Sequence, residues 1–269
     1  MATPLFTIPI PPPNQHAGGS ITATSPSPSI YLLTISAPPD NRLTTATCTA
    51  LLTALDTLEF SYPPGVLLTT SALPKFYSNG LDLEHALGIP TFLPQQLYKL
   101  FHRFLTYPMP TIAVLNGHAF AGGLMLAMHH DYRIMNPARG YACVNELDFG
   151  VPLKPAMSSI FRLKCSAVTY RTLVLEAHRF DGKAALAAGL VDGLGGVEEA
   201  VAFAGARKLA EKGKTGIYGL MKAEMYRESV DLLSEAGHVR EEARVLKMLD
   251  EDAARREEGA KRVEVKGKL

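Results

Sequence analysis

Cysteine is scarce in this chain of 269 residues. Its 3 cysteines, Cys48, Cys143 and Cys165, are widely spaced and form no Cys-x-x-Cys pair. An odd number so placed excludes a disulfide framework or a zinc site built on paired cysteines, and it points to a reducing compartment. The three read as small buried apolar residues. Net charge is scarce too: 27 Lys and Arg against 26 Asp and Glu leave +1. A nucleic-acid binder would carry a basic face, so that class is set aside. No apolar run reaches the length of a membrane span. No Lys or Arg precedes Arg42, so neither a secretory signal nor a mitochondrial presequence is expected.

Other absences concern chemistry. There is no Gly-x-Ser-x-Gly and no Walker loop, so a hydrolase elbow and a P-loop lack support. Gly193-Leu194-Gly195-Gly196 begins like a dinucleotide fingerprint, but its third glycine would fall at Glu198 and no strand precedes it. It reads as a turn. His129 and His130 are adjacent, so they point different ways and do not easily share a metal; they read as helix-end histidines near a favourable dipole. No metal site is expected.

What is present suits a folded α/β protein. Hydrophobic residues make up 47% of the chain, enough for a sizeable core in one large domain or a domain with an appendage. Leu5 to Ile10 and Ser20 to Thr24 read as edge strands, with turns at Pro11-Pro12-Pro13 and Gly18-Gly19. Strands follow at Ile30–Ile35, Val66–Thr70, Thr111–Leu115 and Asp131–Met135. Helices are expected from Thr44 or Thr45, over Gln95–Leu105 and over Leu124–His130. Ser71 to Asp82 reads as a loop. Such alternation indicates parallel crossovers. Beyond about residue 155 the pattern turns helical: 158–164, 167–175, 183–188, 197–212, 215–236 and 240–261. The last of these is dense in both charge signs and reads as a solvated face.

The most informative stretch is Asn116-Gly117-His118-Ala119-Phe120-Ala121-Gly122-Gly123-Leu124. An apolar strand runs into a glycine-rich turn and then into an apolar helix. Main-chain N–H groups left free at such a place suit a developing oxyanion. A second glycine turn lies upstream at Ser78-Asn79-Gly80-Leu81-Asp82, and Glu146 follows downstream. Two donors and one carboxylate form a minimal kit for enolate chemistry on a thioester.

On Phe76 to Asp82, Pro110 to Gly123, Asp131-Tyr132-Arg133 and Ala188-Gly189-Leu190-Val191, the sequence resembles the crotonase superfamily, also called the enoyl-CoA hydratase/isomerase family, over roughly residues 30–235. The resemblance implies a spiral core of repeated ββα units (residues 1–195) and a helical C-terminal trimerisation region (196–269), assembled as a homotrimer or a dimer of trimers. It implies that the amides of Leu81 and Gly122 hold the thioester oxygen of an acyl-CoA. Ser78, Gly80, Asp82, Gly123 and Met125 are expected at the substrate. Lys75 is a candidate for a CoA phosphate, with a solvated loop lysine as the alternative. No cofactor is expected, because CoA is part of the substrate.

The acid/base groups select among reactions. Hydratases of the family carry two glutamates, at the places of Met125 and Glu146. Dienoyl-CoA isomerases resemble this chain around Glu146 but carry acids at the places of Met125 and Lys154. With Met125 and Lys154 here, a single base, Glu146, suits a Δ3,Δ2-enoyl-CoA isomerase, and Asn145-Glu146-Leu147-Asp148 resembles the block of the monofunctional peroxisomal kind. Asp148, two places along a strand-like segment, is given no role. A hydratase-like enzyme, a secondary-metabolite acyl-CoA tailoring enzyme and a non-catalytic acyl-CoA-binding pseudoenzyme are the alternatives. The chain ends Gly267-Lys268-Leu269, similar to the peroxisomal Ser-Lys-Leu address and preceded by Lys261, Arg262 and Lys266. A peroxisomal import receptor is therefore an expected partner, with a frayed tail and a cytoplasmic location as the alternative.

Overall fold

The computed structural model describes residues 3–12 and 18–266. Pro13 of the first expected turn and the Gly267-Lys268-Leu269 end lie outside the described residues. The chain opens with two antiparallel strands, β1 (Phe6–Ile10) and β2 (Gly19–Ser27), and β3 (Ile30–Ser36). Helix α1 (Thr45–Ser61) follows, its N-cap Thr44 accepting from the Thr47 N–H, which satisfies one of the free amides of the first turn. Next come β4 (Val66–Ser71), β5 (Phe76–Ser78) and α2 (Leu83–Gly88). A π-helical turn (Leu93–Leu97) then leads into α3 (Tyr98–Thr106). Strands β6 (Thr111–Leu115) and β7 (His118–Phe120) precede α4 (Gly122–Met128). They are followed by β8 (Tyr132–Met135), β9 (Ala142–Cys143), a 3-10 turn (Glu146–Phe149) and α5 (Pro155–Lys164).

Among the described residues two sheets form. The larger runs β1-β2-β3-β4-β6-β8-β10 and the smaller runs β5-β7-β9, where β10 is Gly193–Leu194. From β3 onward every pairing in both sheets is parallel. The pairs β4/β5, β6/β7 and β8/β9 each give one strand to each sheet before the chain turns into a helix. This is the repeated ββα spiral expected from the resemblance. Parallel strands covered on both faces are buried along their whole length, as β4 and β6 are at every position; the hydroxyls of Thr69, Thr70 and Ser71 in β4 are hydrogen-bonded. Alternate residues serve two clusters. Val66, Leu68, Ile112 and Val114 pack on Ala200 and Ala204 of α8 (Val197–Ala206), while Leu67, Ala113 and Leu115 join the larger core with α1, α3 and α4.

Several expectations are corrected. The loop expected over 71–82 contains β5, and α2 follows it. The glycine turn after β6 contains β7. Gly193-Leu194 is not a turn but a short strand beside β8, with the bend at Gly195. The single helix expected over 197–212 breaks at Lys208, which takes a left-handed φ of 51°, into α8 and α9 (Leu209–Gly213). That expected over 215–236 breaks at Tyr226 into α10 (Tyr218–Met225) and α11 (Arg227–Leu233). The charged helix is longer than expected: α12 runs Glu235–Lys266 and carries i,i+3 and i,i+4 ion pairs such as Asp252 with Arg255 and Arg256. Two shorter helices, α6 (Ala167–Leu175) and α7 (Gly182–Ala187), lie between α5 and β10. Cys48 and Cys143 are buried, Cys165 is half-buried, and all are free.

Candidate active site

The first glycine turn is held from one side by the segment 40–43. Asn41 donates from Nδ2 to Ser71 Oγ (2.6 Å) and to the carbonyl of Tyr77 (3.0 Å). Ser78 Oγ donates to the Asn41 carbonyl (2.7 Å) and accepts from the Gly80 N–H (3.2 Å). The Leu43 N–H donates to the Gly80 carbonyl at 2.8 Å. Gly80 sits at φ +84°, and a Cβ there would lie 2.8 Å from the Phe120 carbonyl oxygen, so only glycine fits. The peptide joining Gly80 to Leu81 thus has its carbonyl engaged, and its N–H has no acceptor among the described residues. Hydrogen bonding at one end of a peptide polarises the other.

The second turn follows the same plan. Ala121 adopts φ 48°, ψ −122°, a conformation that costs a side-chain-bearing residue about 1–3 kcal/mol. Its N–H donates to the Cys143 carbonyl (2.8 Å) and its carbonyl accepts from the Met125 N–H (3.0 Å). Gly122 then opens α4, and its own N–H has no acceptor among the described residues. The two turns touch: a Cβ on Gly80 would lie 3.0 Å from Gly122 N, and one on Gly122 would lie 3.4 Å from Leu81 N. Gly123 sits flat against the first turn, with a Cβ there only 2.3 Å from the Ser78 carbonyl oxygen.

Leu81, Gly122, Met125 and Glu146 line one cavity of about 230 Å³. Its inner wall holds buried Met125 and Met157; its rim carries exposed Leu83, Leu87, Phe149 and Val151. Glu146 stands at the start of the 3-10 turn, not on a strand as expected. One of its carboxylate oxygens, Oε2, is buried without a hydrogen-bond partner among the described residues. Burial pushes its pKa from 4.5 up to about 7, partly offset by its own backbone N–H. Asp148 is exposed on the outer side of that turn and does not line the cavity. Ser78, Gly80 and Gly123 do not line it either; they build the turns that do. Asp82 caps α2 by accepting from the His85 N–H (3.0 Å). Lys75 is exposed outside the cavity lining, its Nζ 5.3 Å from the Phe76 ring centroid.

The structure adds Arg42, which the sequence did not single out, to the lining; Asn145 and Lys154, marked in the sequence only by comparison with family members, line the cavity as well. Lys154 is ion-paired at 2.8 Å with Glu242 of α12. No group of three or more His, Cys, Asp or Glu among the described residues is placed to hold a metal ion. None of the described helices is long and apolar enough to cross a membrane.

A buried chain of hydrogen bonds ties the two turns together from behind. His130 Nδ1 faces the Leu126 carbonyl at 2.9 Å and must carry the proton. Its Nε2 is then an acceptor, so Thr69 Oγ1 donates to it (2.9 Å), and Thr69 in turn accepts from Tyr77 OH (2.9 Å). Strand β5, which leads into the first turn, is thereby joined to the far end of α4. His129 makes the equivalent bond to the Met125 carbonyl (2.7 Å) and stacks on Phe101. Helix-end placement suggests charged histidines, but burial lowers His129 to about 3 and His130 well below its usual value. Both are neutral. Thr69→Val strands two buried polar groups, so urea unfolding should show a loss of about 1–3 kcal/mol; unchanged stability would contradict this network.

The chain matches the enoyl-CoA hydratase/isomerase family over residues 26–268. It is 34% identical over 219 residues to enoyl-CoA delta isomerase 2, peroxisomal, of Arabidopsis thaliana, covering 76% of this chain and 91% of that protein. Identity to enoyl-CoA delta isomerase 3 of the same plant is 32% over 212 residues, covering 74% and 89%. Among solved structures, a probable enoyl-CoA hydratase of Mycobacterium tuberculosis is similar with a TM-score of 0.70 at 25% identity, over 85% of this chain and 98% of that one. With the spiral of ββα units, the two braced turns and these relatives in hand, the chain belongs to the enoyl-CoA hydratase/isomerase, or crotonase, family, whose members act on acyl-CoA thioesters.

Proposed function

We propose that the protein is a Δ3,Δ2-enoyl-CoA isomerase. The observation that carries this reading is the solitary carboxylate: Glu146 is the only acid lining the cavity among the described residues, and buried Met125 fills the wall where a second glutamate would stand. Adding water across a double bond calls for two groups to position and activate it. Moving a double bond calls for one base used twice.

The Glu146 carboxylate takes a proton from C2 of a 3-enoyl-CoA. The C–H electron pair forms a C1–C2 double bond as the carbonyl π electrons move onto the thioester oxygen, giving a dienolate conjugated with the C3–C4 double bond. When the carbonyl re-forms, the C1–C2 pair becomes the C2–C3 double bond and the C3–C4 π pair takes the proton at C4. The Leu81 and Gly122 N–H groups hold the resulting dienolate oxygen. Each such donor is worth on the order of 3–4 kcal/mol at the transition state. The carboxylic acid then returns its proton to C4, leaving a 2-trans double bond conjugated with the thioester. Nothing is oxidised or reduced, so no redox cofactor is called for. A base with a pKa near 7 is poised both to accept and to return the proton near neutral pH. The apolar walls keep water from the dienolate.

The setting we favour is fatty acid β-oxidation in a peroxisome, supported by the peroxisomal relatives. For assembly, Ile217, Leu220, Met221 and Met225 expose an apolar stripe along α10. Such a stripe suits burial in a homotrimer, alone or paired. Sedimentation at a trimer or hexamer mass supports this, and a monomer counts against it. The reaction is tested with purified protein and 3-hexenoyl-CoA. Rising absorbance of the conjugated 2-trans thioester is expected; a 3-hydroxyacyl-CoA product or no turnover overturns the assignment.

A further inference from the structure

Granting Leu81 the donor role proposed above, the geometry points to Arg42 as the positioning residue that sets this amide, with Asp40 as its anchor. Arg42 lines the cavity beside Leu81. Its Nη1 donates to the Leu81 carbonyl at 3.2 Å, and its Nε donates to the Asp40 carboxylate at 3.2 and 3.4 Å. Asp40 is itself fixed: its Oδ2 accepts from Asn79 Nδ2 (2.6 Å), and its carbonyl accepts from the Asn79 N–H (3.0 Å).

The peptides on both sides of Leu81 are therefore clamped. The preceding one is held at its oxygen by the Leu43 N–H, and the following one is held at its oxygen by Arg42. With both oxygens fixed, the Leu81 N–H has one direction left, toward the cavity it shares with Gly122 and Glu146. A planar guanidinium bridges a carboxylate and a carbonyl with two N–H groups of one rigid fork; an ammonium is a point charge and cannot reproduce that. The Arg42 side chain is 35% exposed. Its partner Asp40 is buried, with a side chain 12% exposed, so Arg42→Met also leaves a buried carboxylate short of a partner; Arg42→Lys keeps the charge and separates position from stability.

The test uses hexanoyl-CoA labelled with carbon-13 at the thioester carbonyl. This saturated ligand has no double bond to move, so the readout is independent of which reaction the enzyme performs. Difference infrared spectra of the bound ligand are taken for wild type, Arg42→Met and Arg42→Lys. The wild-type carbonyl stretch is expected below its value in water, and both variants should move it back toward that value. Turnover of 3-hexenoyl thioesters should fall on the order of 10- to 100-fold in kcat. KM should stay within about threefold, equally for the CoA and the pantetheine thioester. A variant stretch identical to wild type overturns the brace. So does a loss confined to KM for the CoA ester, which would make Arg42 a contact for the phosphates. If wild type itself leaves the stretch unshifted, the Leu81 and Gly122 donor reading fails, and the brace with it.

Discussion

Replacing Glu146 with Gln should lower kcat for 3-hexenoyl-CoA by about 10³- to 10⁴-fold and leave KM for the thioester nearly unchanged. The amide keeps the shape of the side chain and removes its basicity. The pH dependence carries the same information. The wild-type carboxyl titrates near 7 because burial disfavours its charge, and the proposed reaction begins from the carboxylate. The acid limb of kcat/KM is therefore expected near pH 7, well above the ordinary value of 4.5.

Stability should move in the opposite direction. A folded-state pKa raised above the unfolded one means that the native protein holds a proton that the unfolded chain releases. The associated stability is complete below about pH 4.5 and is lost as pH rises through about 7. At pH 8 the wild-type protein carries the full cost of a buried carboxylate, and Glu146→Gln does not. Chemical denaturation at pH 8 should find the variant more stable by about 1–3 kcal/mol, with the difference shrinking toward pH 5. A variant that is inactive and also less stable at pH 8 would place Glu146 among structural residues instead.

Gly123→Ala is expected to cost a smaller but still large part of the activity, on the order of 10²-fold, without touching any side chain in the cavity. Its Cβ would stand 2.3 Å from the Ser78 carbonyl oxygen and 2.8 Å from Ser78 Cβ. Backbone meets backbone at this contact, so no rotamer change relieves it, and the start of α4 must move away from the first turn. That separates the Leu81 and Gly122 amides. Misplacing a donor by about 1 Å is worth on the order of 10²-fold in kcat. The variant should still fold, destabilised by about 1–3 kcal/mol. Gly205→Ala in α8 is the control, because nothing lies within 4 Å of a Cβ there. It should keep full activity and gain slightly in stability. Wild-type turnover by Gly123→Ala would show that the two turns need not touch.

The first six strands of the large sheet and the place of both glycine turns are legible in the sequence, because apolar and β-branched runs and glycines at fixed offsets are local signals; the order of those strands and the edge strand at Gly193–Leu194 are not. The small sheet is not. Phe76–Ser78 and Ala142–Cys143 are too short to show a two-residue period, and they exist only because they pair with His118–Phe120. The breaks at Lys208 and Tyr226 carry no glycine or proline. Glu146 is legible as a lone acid, but its raised pKa comes from walls contributed by distant segments. Arg42 carries no local mark, since its meaning lies in a single hydrogen bond to the carbonyl of Leu81, 39 residues away. The paired histidines mislead for the same reason: helix-end placement suggests charge, while the core packed around them forbids it.

The most direct measurement follows a label through the proton transfer. With 3-hexenoyl-CoA deuterated at C2 in ordinary water, one carboxyl acting as both acceptor and donor, and returning its proton faster than it exchanges with solvent, predicts that part of the deuterium appears at C4 of the 2-trans product. Product carrying only solvent hydrogen at C4, at every extent of reaction and with normal turnover, would contradict a single shuttling base.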